Sequence, residues 1–357
     1  MIVDRRRYMS STRFTANLLR SSASGFAGMV VSRVVDSSPE GGGAVVDFDA
    51  WKQHFQSIVL ELAAAVEDGG RAQFAAKVAW ERDAFAARGL KTDLLSLGLN
   101  ELSNVLKGNL PNAAWTPLPE FFQAAVNELE RDSVCHDVAS SMSGPVGEIA
   151  AAYLEAIRKG DSKRAIDEVV KAIGDDRLSI SDALDGVLAL ALRQIGMLWH
   201  SGEANVADEH FTTQATGRLL EQIMIVAPTP SPFGKTVVLA MAEGDAHDLG
   251  LRIVAAFFEL DGWRTICLGA NVPSADLALA TQSFDPDLLV IGATLNTHRE
   301  GATRAIATVR SSRNDQKILV GGPGFGGLEG RAQKIGADGC VIHAKDAPSL
   351  GRELVQG

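Results

Sequence analysis

The sequence predicts a multidomain protein with an N-terminal all-α helical domain and a four-helix-bundle cap. A C-terminal α/β Rossmann-like (flavodoxin-like) domain with a five-stranded parallel sheet completes it. Three observations predict this class. Apolar residues recur at helical spacing from residue 48 to about residue 228. Beyond Pro228, Pro230 and Pro232 the rhythm changes to short apolar runs alternating with helical stretches. A chain of 357 residues also has room for two or three separate cores.

Residues 1–47 are rich in Ser, Gly and Arg and end near Ser37-Ser38-Pro39-Glu40-Gly41-Gly42-Gly43, so they read as a flexible extension. A helical domain over 48–143 follows. Trp51, Phe55, Ile58, Leu62 and Val66 lie on one helical face, and Asp68-Gly69-Gly70 stops it. Further helices are expected over about 71–88, 92–107 and 119–131, the last opening on Pro119, a good first-turn residue. Ser140-Ser141-Met142-Ser143-Gly144-Pro145 reads as a linker.

The cap covers 144–230. Ser179 and Asp182 open its clearest helix in the manner of a capping box, and Leu184, Leu188, Leu192, Ile195 and Trp199 form its stripe. After the turn 200–205, a new helix from Val206 carries Glu209 and His210 in its first turns. The last domain covers 231–357. Its strands are expected at Thr236–Met241, Thr265–Leu268, Leu288–Ile291, Ile318–Val320 and Cys340–Ile342. Fully apolar strands with crossover helices make a parallel sheet. Such sheets bind ligands at the carboxyl ends of their strands.

Composition narrows the function. A formal charge of −10, with no basic cluster beyond Arg5-Arg6-Arg7, argues against direct nucleic-acid binding. Three cysteines, none in a CxxC spacing, fit a reducing cytoplasm and neither a disulfide framework nor a zinc site. No apolar run reaches the length of about 18 residues that spans a bilayer. No apolar segment of the signal-peptide kind follows the N-terminal arginines.

The first strand leads into Glu243-Gly244-Asp245-Ala246-His247-Asp248-Leu249-Gly250. GxGxxG is absent, and so is a Gly-Lys-Ser/Thr phosphate loop. A histidine with an aspartate two residues earlier can ligate a metal while the carboxylate orients the ring. Asp-x-His-x-x-Gly, here Asp245, His247 and Gly250, resembles the cobalamin-binding domain of methionine synthase, the mutases and the B12 light sensors. The resemblance covers about residues 233–357. It implies that His247 is the lower axial cobalt ligand and that the displaced nucleotide tail enters a slot in the sheet. Thr294-Leu295-Asn296 stands where the family has Ser-x-Leu. Thr294 keeps the hydroxyl, and Asn296 departs from the pattern. Gly321-Gly322 matches the family's Gly-Gly, with Gly324, Gly326 and Gly327 beyond it.

The cap resembles the one that precedes this domain in methionine synthase, corrinoid proteins and the light sensors. Trp199 and Glu209-His210, with nine residues between Trp and Glu, resemble the adenosylcobalamin-dependent photoreceptors typified by light-released MerR-type repressors. Carried over, Trp199, Glu209 and His210 hold the adenosyl group, and His200 becomes the upper cobalt ligand after photolysis. The repressors' basic winged helix-turn-helix has no counterpart here. In layout the chain is most similar to the photocobilins, which join a cobalamin sensor to biliverdin. Cys135-His136, and an aromatic pocket of Trp51, His54, Trp80 and Trp115, are the candidate bilin contacts.

The resemblance implies a cytoplasmic light sensor that is not an enzyme. It would signal through a light-dependent homo-oligomer to a protein partner, with no direct nucleic acid and no membrane. Two alternatives stay open: a corrinoid methyl carrier of a methyltransferase system, and a cobalamin-binding antirepressor. A mutase would need a TIM barrel to hold its substrate.

Overall fold

The computed structural model describes residues 5–37, 48–87, 92–131, 144–200, 202–326 and 329–356. They form two compact units, one of residues 1–136 with 200–203, the other of residues 137–199 with 204–357.

The first unit is helical. Its leading element corrects the expectation of a flexible extension: α1 (Arg5–Ser37) is a helix of 33 residues. Ala16, Leu19, Ala23, Ala27, Val30 and Val34 are buried on one face and share a core with Phe55, Val59 and Leu62 of α2 (Phe48–Asp68). The serines and glycines between them hide the stripe in the composition. The face is built mostly from small residues, which let two helices approach closely. α3 (Arg71–Ala87), α4 (Thr92–Asn109) and α5 (Pro119–Leu129) follow, with a single turn Asn112–Trp115 before α5. Gly98 of α4 is required by packing, because a Cβ there would stand 2.0 Å from the Phe55 ring. The Cys135-His136 pair and most of the expected linker lie outside the described residues.

The second unit opens with the cap: α6 (Gly144–Arg158), α7 (Ser162–Gly174), α8 (Ala189–His200) and α9 (Val206–Val226). Ser179 caps the entry to the third helix by accepting from Asp182 N at 3.0 Å. The helix is not regular as its stripe predicts. Ala183–Leu188 is a π-helical turn, a feature frequent near functional sites. Here Gly186 lets Val146 sit 2.4 Å from where a Cβ would be. Asn205 and Asp208 form a capping box at the start of α9. Tyr153 Oη and Thr216 Oγ1, 3.1 Å apart and buried, tie α6 to α9.

The sheet comprises β1 (Thr236–Met241), β2 (Arg264–Cys267), β3 (Leu288–Gly292), β4 (Lys317–Gly321) and β5 (Gly339–Val341). All strands are parallel, in the order β2-β1-β3-β4-β5. This is the flavodoxin-like order, and its direction switches between β1 and β3, where such folds bind ligands. α10 (Leu249–Leu260), α11 (Ser274–Phe284), α12 (Arg299–Ser312) and α13 (Ala347–Gln356) cover the sheet.

Leu19 is fully buried, so Leu19→Ala should cost about 3 kcal/mol of stability. A shift in the urea midpoint of tryptophan fluorescence checks this. An extension without structure would show no shift.

Candidate functional site

Two loops meet at the switch point, one after β1 and one after β3. The β1 loop turns sharply at Gly244, whose φ is +89°. It is stapled to the loop after β2: Gly244 N donates to Asn271 Oδ1 at 2.7 Å, and Asn271 N donates to Asp245 O at 2.8 Å.

Asp245 is fully buried. Its Oδ1 accepts from His247 N at 3.1 Å and from His247 Nδ1 at 2.9 Å. Its Oδ2 accepts from Thr294 N at 2.6 Å and lies 3.0 Å from His298 Nδ1. Burial alone would raise the Asp245 pKa. The hydrogen bonds from His247 and Thr294, with the nearby His298, outweigh it and hold the group down at about 2. His247 is pushed above the usual histidine value, first by its hydrogen bond to Asp245. Burial opposes this, and the charges of Asp245 and Glu209 add to it.

With Nδ1–H committed to a carboxylate, the neutral His247 ring presents its lone pair at Nε2. The side chain is 61% exposed. Gly250 lies in the first turn of the following helix, with nothing within 4 Å of where a Cβ would stand. Protein packing therefore does not explain this glycine. Gly322, with φ +101°, and Gly324 are different. Their Cβ atoms would each come within 2.6 Å of a carbonyl oxygen, of Ala293 and Leu295 respectively. These glycines, following Gly321 at the end of β4, set the β4 loop against the β3 loop. Asn296 opens a short 3-10 turn, Asn296–His298.

Among the described residues no group of three or more His, Cys, Asp or Glu side chains could hold a metal. A lone, carboxylate-oriented imidazole suits a metal that brings its other ligands with it. A cobalamin does so, since the corrin supplies four nitrogens, and the residues present fit that group.

The cap contributes Trp199, at 36% exposure near the end of α8, and Glu209. Glu209 holds His210 Nδ1 at 2.7 Å and Thr213 Oγ1 at 2.8 Å. His210 is largely exposed. Glu209 is near enough to raise the His247 pKa. His200 is the last residue of α8 but groups with the first unit; it is 5% exposed, its ring stacked on Trp80 with centroids 3.6 Å apart. The four aromatic side chains expected around a bilin divide between three ring contacts. Trp51 and His54 cluster with Phe55 and Phe85, Trp115 lies on Phe122, and Trp80 lies on His200.

Sequence reasoning missed His298 and Asn271. One signal was available for His298: it lies four residues beyond Thr294, at the same strand end, and a buried carboxylate has two oxygens to satisfy.

The fold and the site define a protein with a flavodoxin-like sheet, a helical cap and a carboxylate-oriented imidazole at the switch point. Comparison with known proteins agrees. Residues 235–350 match the family model described as B12 binding domain, and residues 149–223 match a second model of that description. Over these two stretches the chain is thus similar to B12-binding domains. It is 27% identical over 210 residues to a corrinoid protein of Desulfitobacterium hafniense, covering 56% of this chain and 94% of that one. It is 32% identical over 128 residues to the HTH-type transcriptional repressor CarA of Myxococcus xanthus, covering 35% of this chain and 42% of the repressor. The solved monomethylamine corrinoid protein of Methanosarcina barkeri shares the fold. Its TM-score is 0.50 at 19% identity, over 58% of this chain and 98% of that one.

Replacing Asp245 tests this geometry. Asp245→Asn should lower the His247 titration midpoint from its raised position toward 6.5, read from ring-proton shifts of the apoprotein by NMR. The folded-state pKa of Asp245 is depressed, so its stabilisation is present above 3.8 and is lost as pH falls toward about 2. In Asp245→Asn that acid-limb dependence should shrink, as measured by urea unfolding at a series of pH values.

Proposed function

We propose that the chain binds a cobalamin in base-off form with His247 Nε2 as the lower cobalt ligand, and that it serves as a light sensor. The Asp245–His247 pair carries the first part. The cap carries the second: Trp199 offers an exposed apolar wall, and Glu209 and His210 offer hydrogen-bonding groups suited to a ribose or adenine. A methyl group would use none of these. Bound adenosylcobalamin would supply a cobalt–carbon bond that light can break.

In this reading Trp199, Glu209 and His210 hold the adenosyl group, Thr294, Asn296, Gly321 and Gly322 line the slot for the nucleotide tail, and Gly250 leaves room for the corrin. His200 would serve as a cobalt ligand once light had released the adenosyl group. That role requires its ring to leave the Trp80 stack, at a cost of about 1 kcal/mol for the ring pair. Biliverdin, bound by the N-terminal helical domain, is a second chromophore in the same reading, supported by the similarity of domain layout. The output is a change of homo-oligomeric state passed to a protein partner, in the cytoplasm and without a reaction of the chain's own. None of the helices among the described residues is long and apolar enough to cross a membrane.

A second reading, a corrinoid methyl carrier, is favoured by the named relatives. Most of them are called corrinoid proteins, including a dimethylamine corrinoid protein of Methanosarcina acetivorans at 26% identity. The comparisons weigh more heavily on this side than on light sensing, and the repressor relative leaves room for an antirepressor. The two readings separate in one experiment. Protein loaded in the dark with adenosylcobalamin, with biliverdin supplied, is followed by absorption and gel filtration before and after green light. The sensor loses its adenosyl spectrum and changes size, and far-red bands report the bilin. An unchanged spectrum and size, with methylcobalamin retained at least as well, establishes the carrier. His247→Ala should weaken cobalamin retention by at least about tenfold under either reading. Under the sensor reading, His200→Ala leaves dark uptake intact and alters the photoproduct spectrum, while Trp199→Ala loosens adenosylcobalamin more than methylcobalamin.

A further inference from the structure

We propose that His298 is a positioning residue for the His247 ligand, a second imidazole on the buried Asp245 carboxylate that fixes the plane of that carboxylate and with it the tautomer of His247. The proposal rests on the cobalamin reading only for the use to which the brace is put.

A carboxylate accepts about four hydrogen bonds, two at each oxygen. At Asp245 the Oδ1 positions are taken by the main chain and ring of His247. Thr294 N takes one Oδ2 position at 2.6 Å, and His298 Nδ1, 3.0 Å away, faces the other. In the proposal the hydrogen of the His298 ring sits on Nδ1, toward the carboxylate oxygen 3.0 Å away. Leu295 N, 3.4 Å from the same nitrogen, is the longer of its two polar contacts.

The last torsion of an aspartate is soft. Held through Oδ1 and the Thr294 amide alone, the carboxylate could pivot and carry the acceptor of His247 Nδ1–H out of line. His298 opposes that pivot from the far side. It is itself well held: its side chain is 15% exposed, its amide donates to Leu295 O at 3.0 Å, and it ends the turn Asn296–His298 that feeds directly into α12. The His247 and His298 ring centroids are 6.4 Å apart, so His298 acts on the ligand through Asp245. The brace also joins the two loops of the switch point, since His247 follows β1 and His298 follows β3. The lower ligand is thereby oriented before any cofactor arrives.

The test uses full-length protein labelled with ¹⁵N-histidine, as wild type, His298→Ala and His298→Asn. Asparagine can place an N–H near the position of the histidine Nδ1–H. Ring-nitrogen correlations of the apoprotein report the tautomer of His247, and titration with aquocobalamin reports affinity. Wild type and His298→Asn should show one His247 tautomer, with the hydrogen on Nδ1. His298→Ala should show averaged shifts and affinity about tenfold weaker, the low end for outer partners of a metal-bound histidine. If the alanine variant does not fold, His298→Leu fills the space without an N–H and gives the same comparison. A single Nδ1–H tautomer in the alanine or leucine variant overturns the proposal, as does an asparagine variant as disturbed as alanine. Wild type that takes up no aquocobalamin while the tautomer pattern follows expectation overturns the cobalamin reading and supports the brace.

Discussion

The candidate site depends on one buried carboxylate. Asp245 has no access to water, yet it stays ionised because the protein supplies donors at both oxygens. A buried charge is tolerated only when it is met this fully. In exchange the carboxylate does two mechanical jobs. It joins the loop after β1 to the loop after β3, and it selects which nitrogen of His247 faces outward.

That junction is possible only because of strand order. β1 and β3 are neighbours in the sheet, paired from Val237 with Leu288 to Met241 with Gly292, although a helix, a strand and another helix separate them in sequence. Their crossover connections leave in opposite directions, so the loops part at the sheet's edge and open a crevice. Glycine then sets the distances. Gly322 and Gly324 let the β4 loop lie against main-chain oxygens of the β3 loop, closer than any side chain allows. Gly250 has no such neighbour.

In the proposed reading His247 bears on which kind of cofactor the chain takes, and the cap on what is done with it. The two are not independent, since Glu209 at the start of α9 contributes to the raised pKa of His247. Both ring nitrogens and carboxylates in this region are engaged with one another: Glu209 with His210 and Thr213, Asp245 with His247, Thr294 and His298. A cofactor entering here meets groups whose orientations are already set, which lowers the ordering cost of binding.

Much of this was legible in the sequence. Strand positions follow from short apolar runs because parallel strands are buried on both faces. The Asp245–His247 pair follows because two residues of separation in a tight turn bring a ring onto a carboxylate. The helices of the first unit after residue 48 follow from large apolar side chains at helical spacing. The leading helix did not, because its buried face is mostly alanine and valine among serines and glycines, and only packing against Phe48–Asp68 distinguishes that face from a solvated segment. His298 was hidden for another reason. It is 51 residues beyond His247, and its nearness to Thr294 at the end of the third strand becomes a signal only once that strand is set beside the first. The sequence by itself determined the candidate ligand His247 and the carboxylate that orients it, since their bond is local. The tertiary structure decided what holds that carboxylate, because its second oxygen is satisfied from a strand that only sheet formation brings alongside.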